Sequence, residues 1–175
     1  MKLKITSLLL LWIPLCLQAQ ENPDKQNALI YYNIALSSDK MENYERAITY
    51  FEKAYALDTN YKDVYSRIGN AYCKMLQYTE AIPYFKKDIL LNPGNTDSYM
   101  NLANTYYYLG KYEESIVYYQ KTIELDSNHV KAYRNMGNAY YSLNNTEKYL
   151  DCYKKAARLG DFEIQLWLQT NGESW

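Results

Sequence analysis

The chain has 175 residues, of which 48% are hydrophobic and 22% charged, and its 19 Lys and Arg nearly balance its 20 Asp and Glu. Nucleic-acid binding depends on an excess of basic side chains that neutralise phosphates, so this balance argues against a nucleic-acid partner. With only 6 Gly and 4 Pro against 22 Tyr, the composition favours long helices joined by brief turns and a core in which Tyr supplies much of the large apolar surface.

Residues 1–19 are predicted to be a secretory signal peptide. Lys2 and Lys4 give the segment a basic start, an apolar run follows over residues 5–17, and Ala19 supplies a small residue for cleavage. The apolar run is too short to span a membrane comfortably. Cleavage near Ala19 would export the protein to the periplasm, the cell surface or the medium.

Two alternatives for this segment stay open. Cys16 would carry a lipid in a lipoprotein, but Leu15 lies where a lipobox has Gly or Ala. In the second alternative, the segment is not cleaved and is retained as an anchor. If it is cleaved, the 19 basic residues fall to 17 against 20 acidic residues, and the mature net charge is −3.

After a short leader over residues 20–27, one pattern recurs every 34 residues without insertion or deletion. It divides the chain into four repeats, residues 28–61, 62–95, 96–129 and 130–163. Similarity at a constant period of this length indicates a protein built of stacked repeats. The recurring positions include Tyr31, Tyr65, Tyr99 and Tyr133, then Ala35, Gly69, Ala103 and Gly137, then Phe51, Phe85, Tyr119 and Tyr153.

Within a repeat the apolar spacing predicts two helices. Residues at i, i+3, i+4 and i+7 form one apolar stripe of a helix. Pro93 interrupts the pattern between two repeats because proline cannot continue a helix. Gly69 and Gly137 would let the two helices approach closely. In the third repeat, the two stripes are Tyr99, Leu102, Ala103 and Tyr106, then Tyr112, Ile116, Tyr119 and Ile123.

The spacing within the second repeat carries a family resemblance. The matching residues are Tyr65, Ile68, Gly69, Tyr72, Ala81, Phe85 and Pro93. In this spacing the chain resembles the tetratricopeptide repeat (TPR) family, with Tyr in place of Trp at the first position. The resemblance covers all four repeats. It implies an all-α fold, a right-handed α–α superhelix (a TPR solenoid), whose first helices line a concave groove that binds peptides or proteins.

Four residues depart from the family pattern. Ser38 replaces the Tyr of later repeats, which a terminal repeat tolerates because one of its sides is unpaired. Asp88 lies where a small residue usually packs, and Pro83 lies early in its helix, so the second repeat is expected to bend. Tyr149 takes a small-residue position and is expected to push the fourth hairpin apart slightly.

Residues 161–175 are predicted to form a C-terminal capping helix and tail. Gly160 suits a helix end and Asp161 a helix start. Trp167 lies 34 residues after Tyr133. We expect a helix over residues 161–170 that covers the apolar face of the last hairpin.

The sequence gives no support for catalysis, a metal site or a cofactor. The single histidine, His129, is predicted to be a solvated turn residue. Cys73 and Cys152 lie more than two repeat lengths apart, and we expect two partly buried small hydrophobic residues rather than a disulfide. A Cys-x-x-Cys pair, a second His and a glycine-rich phosphate loop are all absent from the sequence.

A second face of the first helices is the candidate binding surface. At 100° per residue it lies about 120° from the buried stripe, and the family resemblance places it in the concave groove. The face is apolar in the first repeat, polar in the middle and basic in the fourth. The candidate groove residues are Tyr32, Asn70, Met100, Asn101, Asn104, Tyr107, Lys131, Arg134, Asn138 and Tyr141.

Asparagines recur on this face. An Asn amide both donates and accepts, so it pairs with an extended peptide backbone without reading side chains. Asn at these positions is also common in TPR proteins whatever they bind, which leaves a structural role open. The row consists of Asn70, Asn104 and Asn138, with Asn33, Asn101 and Asn135 beside it.

The chain only partly resembles the carboxylate-clamp subclass, which grips the C-terminus of a partner. Asn70, Asn101 and Lys131 match it, whereas Ser66 and Asn135 stand where the subclass has Lys and Arg. We therefore do not assign the chain to it.

Lys131 and Arg134 lie three residues apart on one helix and can point the same way. They are predicted to hold a carboxylate of an extended ligand whose apolar residues run toward Tyr32 and Leu36. The alternative is that both are solvated surface charges.

The sequence thus leaves two hypotheses. The favoured one is an exported, non-catalytic scaffold that binds a protein or peptide in its groove, with no membrane span. The alternative is a structural subunit of an envelope assembly that self-associates weakly through its ends or exposed tyrosines.

Overall fold

The computed structural model describes residues 22–175, and all regular secondary structure in this range is α-helical. The all-α fold predicted from the sequence is therefore confirmed. The chain divides into two compact units at the boundary between Tyr61 and Lys62, where the first predicted repeat ends. The predicted signal peptide lies outside the described residues.

The first unit is one helical hairpin, made of α1 (Pro23–Lys40) and α2 (Tyr44–Leu57). Asn22 and Asn43 cap the two helices, because their Oδ1 atoms accept hydrogen bonds from backbone N–H groups of the first turn at 3.0 and 3.2 Å. Since α1 begins at Pro23, most of the segment predicted as a short leader is helical.

The second unit contains three further hairpins and one last helix. Its hairpins, called the second, third and fourth, pair α3 with α4, α5 with α6 and α7 with α8. The helices are α3 (Val64–Lys74), α4 (Tyr78–Leu91), α5 (Thr96–Tyr108), α6 (Tyr112–Leu125), α7 (Val130–Ser142), α8 (Thr146–Arg158) and α9 (Phe162–Thr170).

The turn inside each hairpin of the second unit contains one residue in the left-handed conformation. Leu76, Gly110 and Asn144 have φ values of 61°, 72° and 57°. Gly adopts this conformation without cost and Asn tolerates it, whereas a Leu side chain crowds the following carbonyl. The second hairpin therefore has a more strained turn than the third and fourth.

The glycines at the helix crossings are required by close packing, as the sequence predicted. A Cβ atom on Gly69 would lie 2.7 Å from the ring of Phe85, and one on Gly137 would lie 2.6 Å from the ring of Tyr153. Both distances are shorter than a van der Waals contact. The aromatic rings of α4 and α8 therefore rest directly on the backbones of α3 and α7.

Asp88 is fully buried in α4, although the family pattern has a small residue there. Its carboxylate accepts hydrogen bonds from Nδ2 of Asn92 at 3.2 Å, from Nδ2 of Asn95 at 2.9 Å and from Oγ of Ser98. A buried carboxylate is costly unless it is hydrogen-bonded. These three uncharged donors make the substitution tolerable.

The other departures are also accommodated. Ser38 is buried, and its hydroxyl donates to the carbonyl oxygen of Ile34 at 2.8 Å. Pro83 lies inside α4, which continues to Leu91. Tyr149 packs edge-on against Tyr153, with ring centroids 5.5 Å apart.

The predicted C-terminal capping helix is confirmed as α9. Its N-cap residue is Asp161, whose Oδ1 accepts a hydrogen bond from the N–H of Ile164 at 3.2 Å. Ile164 and Leu168 are buried with Ala157 of α8, and the ring of Trp167 lies 5.3 Å from that of Tyr153. The helix therefore covers apolar side chains of the fourth hairpin.

Cys73 and Cys152 are free thiols, half-buried and buried respectively, as expected. His129 is not simply solvated: it is the N-cap of α7, and its Nδ1 accepts a hydrogen bond from the N–H of Ala132 at 3.2 Å. Within residues 22–175, no cluster of His, Cys, Asp or Glu is suited to hold a metal ion.

None of the helices between Pro23 and Thr170 combines the length and the apolar character needed to cross a membrane.

Candidate functional site

Three asparagines, one from the first helix of each hairpin in the second unit, form a row across α3, α5 and α7. We call Asn70, Asn104 and Asn138 the asparagine ladder; successive members are 34 residues apart. Hydrogen bonds at the ladder tie neighbouring helices together. Nδ2 of Asn101 donates to Oδ1 of Asn70, and Nδ2 of Asn135 donates to Oδ1 of Asn104, both at 3.0 Å.

Tyrosine hydroxyls support two members of the ladder. Tyr119 donates to Oδ1 of Asn104 at 2.7 Å, and Tyr153 donates to Oδ1 of Asn138 at 2.5 Å. Burial raises the pKa of both tyrosines above its usual value, so their hydroxyls stay protonated and able to donate. In the second hairpin the same position is Phe85, which has no hydroxyl.

These bonds determine which end of each ladder amide is available to a ligand. Oδ1 of Asn104 accepts two hydrogen bonds, which uses both of its lone pairs. In the part of the chain that the structure describes, no group accepts a hydrogen bond from Nδ2 of Asn70, Asn104 or Asn138. No buried side-chain nitrogen or oxygen there lacks a partner, so these Nδ2 groups are accessible to solvent.

The ladder therefore presents N–H donors, one from each hairpin of the second unit. Groups that pair with such donors are oxygen acceptors, above all peptide carbonyls and carboxylates.

Two cavities open beside the ladder. The larger has a volume of about 340 Å³ and is polar, with Asn70 and Asn101 next to Asp63, Arg67 and Asp97. The smaller has a volume of about 90 Å³ and combines amides with aromatic rings. It is lined by Asn104, Tyr107, Tyr108, Tyr119, Asn135 and Asn138.

Arg134 is engaged within the chain. Its Nε and Nη2 donate to the two oxygens of Asp161 at 2.5 and 2.7 Å, and its Nη1 donates to Glu163 at 2.6 Å. Hydrogen bonding to Asp161 raises the pKa of the guanidinium further. The Asp161 side chain is 0% exposed and that of Arg134 is 31% exposed. A ligand carboxylate at Arg134 would have to displace these partners.

The structure corrects one candidate residue. Met100 is only 8% exposed and lies in the core with Ala103, Tyr119 and Met136. The neighbouring hairpin covers it, so it does not line an open groove.

The other candidates lie at the surface or in the first unit. Lys131 is exposed and Tyr107 is half-buried. Tyr141 is 65% exposed and packs edge-on against Tyr149. Tyr32 belongs to the first unit, where its ring stacks on that of Tyr61 with centroids 4.5 Å apart.

The repeat pattern does not predict the partners that orient the ladder. It gives Tyr119 and Tyr153 a recurring position and places Asn135 beside the ladder, but it predicts no hydrogen bond from them to the ladder amides. A signal was present, because the position that holds Phe85 in the second repeat becomes Tyr in the next two. The partners of Arg134 gave no such signal, since they lie beyond the last complete repeat.

An array of helical hairpins whose first helices present like side chains in register defines an α–α solenoid repeat protein. Four tetratricopeptide repeat models match consecutive segments of the chain, at residues 28–61, 64–97, 96–129 and 130–159. The chain therefore belongs to the tetratricopeptide repeat family, as the sequence predicted. Proteins of this family and fold are typically non-catalytic scaffolds for protein–protein interactions.

Solved structures share this fold. YrrB, described as a TPR protein with an unusual peptide-binding site, is 26% identical and matches 82% of this chain and 74% of its own with a TM-score of 0.72. MamA from Desulfovibrio magneticus RS-1 is 23% identical over 78% of this chain and 77% of its own, with a TM-score of 0.71. Another MamA structure is 24% identical over 87% and 86% of the two chains, with a TM-score of 0.73. Among curated proteins, none matches the sequence.

Proposed function

We propose that the protein is an exported, non-catalytic scaffold that holds an extended segment of a partner protein along the asparagine ladder. The observation that carries this proposal is that all three ladder amides accept hydrogen bonds at Oδ1 and keep Nδ2 as a solvent-accessible donor. An extended backbone offers carbonyl acceptors at regular intervals, and a row of donors holds it whatever its side chains are. The peptide-binding site named for YrrB supports the same use of this fold.

The structure changes where we place a charged ligand group. Arg134 is occupied by Asp161 and Glu163, so it holds α9 in place. Lys131 is the exposed cation of α7, and we assign any contact with a ligand carboxylate to it. Such a contact is weak and salt-dependent because the side chain is mobile and solvated.

Export rests on the sequence alone. The basic start, the apolar run over residues 5–17 and Ala19 support a cleaved signal peptide. Intact-mass measurement of protein recovered from cell envelopes should give a chain that begins near Gln20. A cytosolic pool that retains residues 1–19 would contradict the proposal.

The groove is tested with substitutions that reverse hydrogen-bond polarity. Asn104→Asp and Asn138→Asp keep Oδ1 for the bonds from Tyr119 and Tyr153 but replace the outward donor with an acceptor. Asn128→Asp introduces the same charge in an exposed turn and is the matched control.

Wild-type protein and the control should capture the same partner from an envelope extract, and the Asn104→Asp, Asn138→Asp double variant should lose it. Equal capture by all three proteins would place the binding surface elsewhere.

Self-association is the second candidate, and one observation favours it. Phe162 and Leu166 lie one turn apart on α9 and are 74% and 51% exposed, an apolar surface at the end of the array. Light scattering across a concentration series should show growth in mass that Leu166→Lys abolishes. A constant monomer mass for the wild type would eliminate this candidate.

A further inference from the structure

The ladder has a spacing as well as a polarity. Its members occupy the same register on successive first helices, so the distance between them follows the distance between those helices. The 3.0 Å bonds from Asn101 to Asn70 and from Asn135 to Asn104 show that consecutive helices touch at the ladder. Packed helices lie roughly 8–10 Å apart. We take this separation for the successive first helices, which gives one donor about every 8–10 Å along the ladder.

This spacing discriminates between the two extended backbone conformations. A β-strand advances about 3.3 Å per residue and repeats its face every second residue, so equivalent groups recur at about 6.6 Å. A polyproline II helix advances about 3.1 Å per residue and repeats its face every third residue, at about 9.3 Å. Only the second period matches that of the donors.

The polarity of the ladder agrees with this conformation. A polyproline II backbone has no internal hydrogen bonds, so its carbonyls are available to external donors. Proline lacks an N–H group. Asn104 needs no N–H group from the ligand, because its Oδ1 already accepts hydrogen bonds from Asn135 and Tyr119. A proline-containing segment therefore satisfies the donors and leaves no polar group of its own unpaired.

The smaller cavity places tyrosine rings beside the ladder amides. Tyr107 and Tyr108 line it beside Asn104 and Asn138, and the ring of Tyr108 is stacked on that of Tyr78 with centroids 5.2 Å apart. Aromatic side chains of this kind form the walls of grooves that dock polyproline II segments.

We propose that the asparagine ladder selects a proline-containing segment in the polyproline II conformation, with a carbonyl of every third residue bound to one ladder amide. This inference rests on the proposed function, because it assumes that the ladder is the binding site. It adds the conformation of the bound segment and its sequence bias.

The test compares capped synthetic peptides by calorimetric titration of the mature protein. Decaproline is the probe, and an alternating Thr–Val decapeptide of the same length is the strand-forming comparison. Decaproline should bind at least tenfold more tightly. Heptaproline is long enough to reach all three ladder amides and should bind about as tightly as decaproline, whereas tetraproline reaches only two and should bind more weakly.

The polarity variants locate the site. Asn104→Asp should weaken decaproline binding roughly threefold to tenfold, as expected for the loss of one hydrogen bond to an uncharged group. The matched Asn128→Asp variant should bind like the wild type. Unchanged melting temperatures for both variants show that the effect is not one of folding.

The outcomes separate this inference from the proposed function. If the Thr–Val peptide binds as tightly as decaproline and loses affinity in Asn104→Asp, the ladder binds peptides but the polyproline II inference fails. If neither peptide binds, both the polyproline II inference and the proposed function fail. Both also fail if each peptide binds the wild type and Asn104→Asp equally and a captured partner is likewise unaffected by the substitution.

Discussion

The second and fourth hairpins share a crossing glycine and a ladder asparagine, but they are held in different ways. In the fourth, the hydroxyl of Tyr153 donates a hydrogen bond to Asn138, and the ion pair of Arg134 with Asp161 joins α7 to the start of α9. In the second, Phe85 has no hydroxyl to offer. Ser66, which takes the register position of Arg134, donates to the nearby Asp63 carbonyl at 2.8 Å and lines the larger cavity.

The difference shows how one repeat pattern yields two kinds of surface. The polar side chains of the fourth hairpin bond its two helices to each other and to the capping helix α9. The second leaves the corresponding space open beside its ladder amide. A ligand bound as we propose would meet a hydrogen-bonded amide, Asn138, at one end of the ladder and an open polar cavity at the other.

Arg134→Met should give the largest effect. It leaves the buried carboxylate of Asp161 without its cation, and we expect a loss of about 2–3 kcal/mol in the free energy of unfolding, reduced from the fully buried case because Arg134 is partly exposed. Arg67→Met is the matched change in the second hairpin. Its ion pair with Asp63 is 39% and 44% exposed, so the loss there should stay below about 1 kcal/mol. Urea denaturation measures both, and equal losses would contradict the structural role of Arg134.

Gly69→Ala and Gly137→Ala should follow. At Gly69 the new methyl group meets the fully buried ring of Phe85, which cannot move away, and we expect a loss of about 1–3 kcal/mol. At Gly137 the new methyl group would lie 2.6 Å from the ring of Tyr153 and 3.3 Å from Cβ of Cys152, so we expect a similar loss, and decaproline binding should weaken because Asn138 loses its support. Gly94→Ala has no atom within 4 Å of the new group and should change stability by no more than about 0.5 kcal/mol.

Tyr153→Phe makes the fourth hairpin resemble the second at this position. Loss of the hydroxyl bond to Asn138 should cost about 1 kcal/mol. A double-mutant cycle with Asn138→Ala, measured by thermal or urea unfolding, should give a coupling energy close to that loss. Additive effects would mean that the hydroxyl and the amide do not interact.

Leu76→Asn should have the smallest effect and the opposite sign. Leu76 is exposed and has a left-handed backbone, whereas the fourth hairpin has Asn144 at that position. The substitution relieves strain without removing buried surface, so the melting temperature should rise, with a gain of about 0.5–1 kcal/mol. Asn144→Leu should show the reverse. A lower stability for Leu76→Asn would mean that the Leu side chain makes a contact worth more than the strain.

Much of the fold could be predicted from the sequence because it depends on local rules that repeat. Helix geometry predicts the crossing glycines, the helix stripes and the cap at Asp161. The first two recur with the 34-residue period, and the cap follows directly after the last repeat. The three ladder asparagines were placed on one face for the same reason.

The rest depended on contacts that no local rule describes. A helical wheel puts Met100 and Arg134 at equivalent positions, but the next hairpin buries Met100, whereas Asp161 and Glu163 of the cap approach Arg134. Those acidic residues lie outside the repeat pattern, so the period gave no reason to pair them with Arg134. The outward donor of Asn104 depends likewise on a tyrosine hydroxyl from another helix.

Asp88 limits how this array can be recombined by protein engineering. Its carboxylate belongs to the second hairpin, but Asn95 and Ser98, which donate to it, belong to the turn and first helix of the third. At the next junction, the corresponding Thr122 bonds to the carbonyl of Tyr118 within its own helix at 3.0 Å. Transplanting the second and third hairpins together keeps the donors of the buried Asp88 carboxylate, a condition that Thr122 does not impose on a cut after the third hairpin.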